Sequence, residues 1–208
     1  MPGRVDYYMS LISPWSYLGH AEFLRVATKH GLEIAYKPLP VGRLFAETGG
    51  TPVAQRHPNR LAHRLIDLQR WRAKRRLPMN IKPKFWPFDA SLADRLIIAV
   101  AASGAPVESV LPQAFAHVFE AELNLADEAV LTQLLSDARL DAAALLARAK
   151  GDEMKAAYDA NLAEAVAGGI FGCPSYVRDG EVFWGQDRID FLEEAIVSGR
   201  PAFSVTTL

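Results

Sequence analysis

Residues 171–188 read FGCPSYVRDGEVFWGQDR. The stretch holds two short runs of β-prone residues, Ser175 to Arg178 and Glu181 to Trp184. Asp179-Gly180 between them is a pair that two-residue hairpin turns favour, because both turn positions need φ > 0. From Asp187 to Ser198 the apolar spacing becomes helical, and Asp187 is expected to cap that helix at its N-terminus. The chain thus closes on strand, strand, helix.

The other end mirrors it. Val5 to Met9 is apolar and β-prone, Tyr17 to His30 has helical spacing, and Gly31 stands where a helix stops. Glu33 to Pro38 alternates polar and apolar and reads as a second strand. Between these ends nearly everything from Val41 to Gly168 reads as helix. Arg56 to Arg76 carries Leu61, Leu65, Leu68 and Trp71 on one stripe. A proline-interrupted loop follows from Lys82 to Pro87. Helices are then expected over Ser91 to Ser103, Val107 to Glu120, Glu128 to Ala138, Ala142 to Ala149 and Asp152 to Ala167. With the helical block removed, the order is βαβ followed by ββα. That is the order of an α/β thioredoxin fold carrying a large all-helical insertion. The expected division is a discontinuous thioredoxin-like domain, residues 1–40 and 169–208, and a helical insertion domain, residues 41–168.

Composition narrows the functional classes. Half of the 208 residues are hydrophobic and the formal net charge is −1, which argues against the broad basic surface of a non-specific nucleic-acid binder. The densest basic run, Arg70 to Arg76, reads as a solvated helix face. No uncharged apolar run approaches the ~20 residues of a membrane span. Cys173 is the single cysteine, so an intrachain disulfide is excluded. With no leader-like segment ahead of the first strand, a cytoplasmic location is expected.

Three motifs carry chemistry. Ser13-Pro14-Trp15-Ser16 lies at the start of the first helix, where orphan amides and the positive dipole end favour an anion. Redox thioredoxin folds place Cys-x-x-Cys here. Two serines exclude dithiol exchange through this motif but leave a hydroxyl that can donate to a thiolate brought by a ligand. Ser13 can equally be a plain helix cap with Pro14 at N1. Phe171-Gly172-Cys173-Pro174-Ser175 precedes the third strand. In thioredoxin folds this proline is cis and lies beside the helix-one site, which leaves the backbone before it available for a bound peptide. Cys173 itself reads as a small packed residue. Trp184-Gly185-Gln186-Asp187-Arg188 joins the last strand to the last helix. Its polar groups can meet the ammonium and carboxylate of a ligand.

Together these residues identify the chain as resembling the 2-hydroxychromene-2-carboxylate isomerases, relatives of kappa-class glutathione transferases and of DsbA-like proteins. The resemblance is carried by Ser13-Pro14-Trp15-Ser16-Tyr17-Leu18-Gly19, by Phe171-Gly172-Cys173-Pro174, and by Phe183 to Arg188 with Phe191-Leu192-Glu193. Asp67 to Trp71, Pro87-Phe88-Asp89 and Ala93-Asp94-Arg95 add to it. It implies glutathione as cofactor and a small aromatic carboxylate as substrate, with no nucleic-acid or membrane partner, and it is compatible with a homodimer. By resemblance, Ser13 faces the glutathione sulfur. The Cys173 main chain, Pro174, Gln186, Asp187 and Arg60 hold the tripeptide, while Trp15, His63 and Arg95 meet the substrate. No metal is implied.

Several positions depart from the family pattern: Ser10 stands for an aspartate, Gly50 for an asparagine, Arg60 for a lysine and His63 for a tyrosine. The insertion has therefore drifted more than the ends. The expected activity is glutathione-dependent isomerisation in aromatic catabolism. The alternatives are a kappa-like transferase or peroxidase, and a thioredoxin-fold module that binds a peptide or thiol without catalysis.

Overall fold

In a computed structural model, which describes residues 3–205, the two ends of the chain build one four-stranded sheet. Its strands are β1 (Arg4–Met9), β2 (Glu33–Pro38), β3 (Ser175–Arg178) and β4 (Glu181–Trp184), in the order β2-β1-β3-β4. β1 runs parallel to β2 and antiparallel to β3, with Tyr7 opposite Tyr36 on one side and Tyr176 on the other. The parallel pair is joined by helix α1 (Pro14–Lys29), the crossover that parallel pairing requires. Asp179 and Gly180 both take positive φ, 51° and 83°, so the β3–β4 turn has the conformation its sequence anticipates.

The insertion contributes α2 (Val41–Thr48), α3 (Pro58–Arg75), α4 (Ser91–Ala102), α5 (Leu111–Phe119), α6 (Glu128–Asp137), α7 (Ala142–Lys150) and α8 (Asp152–Ala167); α9 (Ile189–Ser198) ends the fold. Alternation along β1 divides the core. Tyr7 packs against Phe23 of α1 and against Tyr176, with ring centroids 4.8 and 5.2 Å away. Its neighbour Tyr8 belongs to a separate cluster with Leu44 of α2, Leu162 of α8 and Cys173. The larger cluster runs from Val5 and Met9 of β1 into α4, α5, α6, α7 and α8, so sheet and insertion share apolar packing.

The helix boundaries depart from expectation where proline or glycine intervenes. α3 begins at Pro58 rather than Arg56, because the residue before a proline is pushed out of the helical region: His57 sits at ψ 141° and caps the helix. The expected helix from Val107 divides into a 3-10 turn, Val107–Ser109, and α5, where Pro112 lacks an amide to bond backwards. Asp187 is not the N-cap of α9. Gly185 at φ 104° opens a 3-10 turn over Gln186–Arg188, the α-helix starts at Ile189, and the Asp187 carboxylate turns to Arg188 at 2.6 Å. The residues 1–2 and 206–208 of the expected domain division lie outside the described residues.

α1 meets the turn before α9 at Gly19. A Cβ there would stand 2.6 Å from Gln186 Cβ and 2.9 Å from the Tyr176 hydroxyl. Alanine in place of a mid-helix glycine ordinarily stabilises by about 1 kcal/mol. Overpacking against fixed neighbours costs about 1–3 kcal/mol, and here the nearest neighbour, Gln186 Cβ, is bonded directly to the backbone. Gly19→Ala should therefore lower stability by roughly 1–2 kcal/mol, read as a fall in the urea midpoint.

Candidate active site

The site forms where three loops converge at the start of α1. The first is the Ser10–Ser13 turn. Its amide groups bond inward, Ser13 N–H to the Ser10 carbonyl at 3.0 Å and Leu11 N–H to the Asp94 carboxylate at 2.8 Å. The Ile12 carbonyl accepts the indole N–H of Trp86 at 2.8 Å. Ser13 caps α1, its hydroxyl accepting from Ser16 N–H at 3.2 Å, and Pro14 occupies the first helical position. The Trp15 amide is left with no acceptor among the described residues, as expected in a helix's first turn.

The second loop carries Cys173-Pro174, whose peptide bond is cis, as is that of Trp86-Pro87. The Ser13 hydroxyl donates to the Cys173 carbonyl at 3.2 Å, joining the first and second motifs directly. The Cys173 N–H, in a residue only 7% exposed, has no acceptor among the described residues. Burial pushes the Cys173 thiol pKa up, so it stays protonated and packs rather than reacts. The third loop, Trp184 to Arg188, is held from the insertion. The Arg75 guanidinium donates to the Gln186 carbonyl at 3.3 Å and pairs with Glu22 of α1 at 3.3 Å. Arg75 is thus the member of the basic run Arg70 to Arg76 that turns inward. Spacing alone gave it no mark within that run.

Between these loops and α3 lies a cleft of about 610 Å³. Of the residues singled out in the sequence, Trp15, Arg60, His63, Cys173, Gln186 and Asp187 line it. Pro174 is buried behind Cys173, and its carbonyl accepts from the Gly185 amide at 2.9 Å. Ser13, 7% exposed, is not itself among the lining residues; it adjoins the cleft through its hydrogen bond to the carbonyl of Cys173, which is one of them. Arg95 is not among the lining residues; its Nε is buried on α4 without a partner among the described residues. His63 pairs with Asp67 at 3.4 Å across one helical turn. Phe45, Arg56, Asn59 and Arg64 also line the cleft, and no motif or spacing marks them for it. Gly50 has a local cause: a Cβ there would meet the Phe45 ring at 2.5 Å.

Beneath the Ser10–Ser13 turn lies a buried acid that the sequence did not single out as a site residue. Asp94, fully buried, accepts from Ser10 Oγ at 2.7 Å, Leu11 N–H at 2.8 Å and the Tyr158 hydroxyl at 2.9 Å. Burial raises its pKa to about 7 although all three donors favour the charged form. Ser10 makes sense here, since an aspartate in its place would set a second carboxylate against Asp94. The available signal was the charged pair Asp94-Arg95 inside the otherwise apolar run 92–101. His20 of α1 is also buried, stacked on Tyr7, with neither ring nitrogen hydrogen-bonded among the described residues; burial lowers its pKa to about 4.

Comparison with known proteins agrees with this construction. The family model for the DSBA-like thioredoxin domain matches residues 4–197, and the chain belongs to that family. A 2-hydroxychromene-2-carboxylate isomerase from Sphingobium xenophagum is 28% identical over 200 residues, which span 95% of this chain and 100% of that protein. The kappa 1 glutathione S-transferase of Caenorhabditis elegans is 32% identical over 83 residues, 39% of this chain and 36% of that one. A solved 2-hydroxychromene-2-carboxylate isomerase has the same fold, with a TM-score of 0.78 at 22% identity, covering 94% of this chain and 95% of that one.

Asp94 and His20 act oppositely on stability as pH changes. The folded-state pKa of Asp94 lies above its ordinary 3.8, so its contribution is full below pH 3.8 and is lost as pH rises through about 7. That of His20 lies below 6.5, so its contribution is full above pH 6.5 and is lost as pH falls toward 4. Asp94→Asn removes the first and keeps the second. The stability of this variant relative to wild type should rise by a few kcal/mol between pH 4 and pH 7, at about 1.4 kcal/mol per pKa unit. Urea midpoints across that range check it; a constant difference would mean that Asp94 titrates at its ordinary value.

Proposed function

We propose that this protein is a glutathione-dependent isomerase of the 2-hydroxychromene-2-carboxylate type, acting on a small aromatic carboxylate. The observation that carries the reading is the 3.2 Å contact between the Ser13 hydroxyl and the carbonyl of Cys173, a residue that lines the aromatic-walled cleft. The whole-length match to a relative of that name supports it.

The residues present fit glutathione. The Cys173 N–H has no acceptor among the described residues and its carbonyl takes only the Ser13 hydroxyl, a main-chain edge suited to the backbone of a cysteinyl residue. Gln186 and Asp187 line the same cleft, where the γ-glutamyl ammonium and carboxylate find an acceptor and a donor. Arg60 takes the glycyl carboxylate. When bound, glutathione supplies a thiolate that adds to the conjugated substrate, permits rotation about the former double bond, and leaves unchanged.

The protein's part is to hold that thiolate. Ser13 donates its one hydroxyl proton either to the Cys173 carbonyl, as seen here, or to a sulfur above the helix terminus. A backbone N–H bound at the Cys173 carbonyl takes over part of that acceptor and releases the Ser13 proton toward the sulfur. The free Trp15 amide and the helix dipole add positive potential at the same point. Trp15 and Trp71 bound the space for a flat second substrate, with His63 at its rim. The Ser16 Oγ has no partner among the described residues and lies fully buried, so its role is packing.

Ser13→Ala should weaken turnover far more than glutathione binding, because the hydroxyl acts on the charged sulfur and the main chain holds the peptide. A hydrogen bond to a charged group is worth about 1.5–3 kcal/mol, so the bound thiol's pKa should rise by about one to two units. Wild type then has the lower thiol pKa, and its rate advantage should shrink as pH rises through the thiol pKa of the variant. Thiolate absorbance of bound glutathione, titrated in both proteins, reads this directly. Equal pKa values would reduce Ser13 to a helix cap. Product balance separates isomerisation, which regenerates glutathione, from a kappa-like transfer, which consumes it.

A further inference from the structure

The cleft holds more positive charge than glutathione accounts for. Arg56, Arg60 and Arg64 all line it, and none forms an ion pair among the described residues. Its two acids are already engaged: Asp67 with Arg70 at 3.0 Å and with His63, and Asp187 with Arg188 at 2.6 Å. Arg56 and Arg64 are both partly buried and fixed in place. Arg56 donates to the Thr51 carbonyl at 2.9 Å and stands 5.8 Å from the Phe45 ring centroid; Arg64 stands 5.1 Å from that of Trp86. Burial comes first in lowering the pKa of each below the ordinary arginine value, followed by repulsion from Arg60 at Arg56 and from Arg56 at Arg64. Guanidinium groups lining one cleft without a counter-charge favour anionic groups beside them.

Given the glutathione reading, on which this inference rests, Arg60 takes the glycyl carboxylate. Two guanidinium groups then remain, set among Trp15, Phe45 and Trp71, which suit a flat ring. We propose that Arg56 and Arg64 form a second anion site in which each guanidinium takes one carboxylate, and that the natural substrate is an aromatic compound bearing two carboxylates rather than one.

The test is a calorimetric titration at low salt with benzoate and with the three benzene dicarboxylates (phthalate, isophthalate and terephthalate). Each is run with and without saturating S-methylglutathione. At least one dicarboxylate should bind about tenfold or more tighter than benzoate, the size of one added charge-assisted pair, and should do so with S-methylglutathione in place. Arg56→Gln and Arg64→Gln should each bring the dicarboxylate close to benzoate, and Arg64→Lys should restore part of the preference. Both positions are partly solvent-exposed, and an unchanged melting temperature confirms that each variant folds. Equal binding of benzoate and all three dicarboxylates overturns the proposal, as does a preference that survives both glutamine variants. A preference seen only without S-methylglutathione assigns the arginines to the tripeptide and also overturns it. Failure of S-methylglutathione itself to bind counts against the glutathione reading, and is read separately.

Discussion

The Ser13 hydroxyl reaches the Cys173 carbonyl across 160 residues of sequence, and the site exists only while that approach holds. Neither end of the chain can make it alone. β1 places the Ser10–Ser13 turn, β3 places the loop before it, and the antiparallel pairing of Tyr8 with Ser175 brings the two loops to the same edge. Ser175 Oγ ties back to the Gly172 carbonyl at 2.8 Å, which fixes the second loop. Trp184 closes over Gly172 so tightly that a Cβ there would collide with the indole nitrogen. Only glycine lets Phe171 and Trp184 meet, with ring centroids 4.4 Å apart, beside the cleft.

The same turn rests on a buried acid, and that choice has an energetic cost. Desolvating Asp94 is unfavourable, and its three donors offset only part of it. A well-packed apolar residue would hold α4 against β1 at least as stably. What it could not do is bond the Leu11 amide and the Ser10 hydroxyl, and so fix the turn that presents Ser13. Asp94 therefore supports the site's geometry at some expense of stability, as does Arg75, which reaches from α3 to the Gln186 carbonyl. In both cases the insertion contributes the group that holds a thioredoxin-type loop in position.

The sequence made the sheet legible because its signals are local. β2, β3 and β4 have the bounds that alternation and Asp179-Gly180 indicate, and α8 has those its spacing indicates. The three loop motifs were legible for the same reason, since each is a contiguous run with a known place in the fold. The remaining features depend on tertiary contacts. Asp94 counts as one acid in an apolar helix until Ser10, Leu11 and Tyr158 surround it, and Arg75 is one of five basic residues between 70 and 76 until Glu22 and Gln186 face it. Arg95 shows the converse: it stands next to Asp94 within a recognisable motif, yet its helix turns it away from the cleft. Asp187 looked like a helix cap because it precedes apolar spacing, but the positive φ of Gly185 starts a 3-10 turn one residue earlier.

The central claim is that a glutathione sulfur sits over the α1 N-terminus while the main chain at Cys173 holds its backbone. Crystals grown with glutathione test it most directly. The account predicts the sulfur within about 3.5 Å of Ser13 Oγ, with the tripeptide's cysteinyl N–H on the Cys173 carbonyl and its carbonyl on the Cys173 N–H. Glutathione bound elsewhere in the cleft with Ser13 still donating to Cys173, or no binding at saturating concentration, would contradict it.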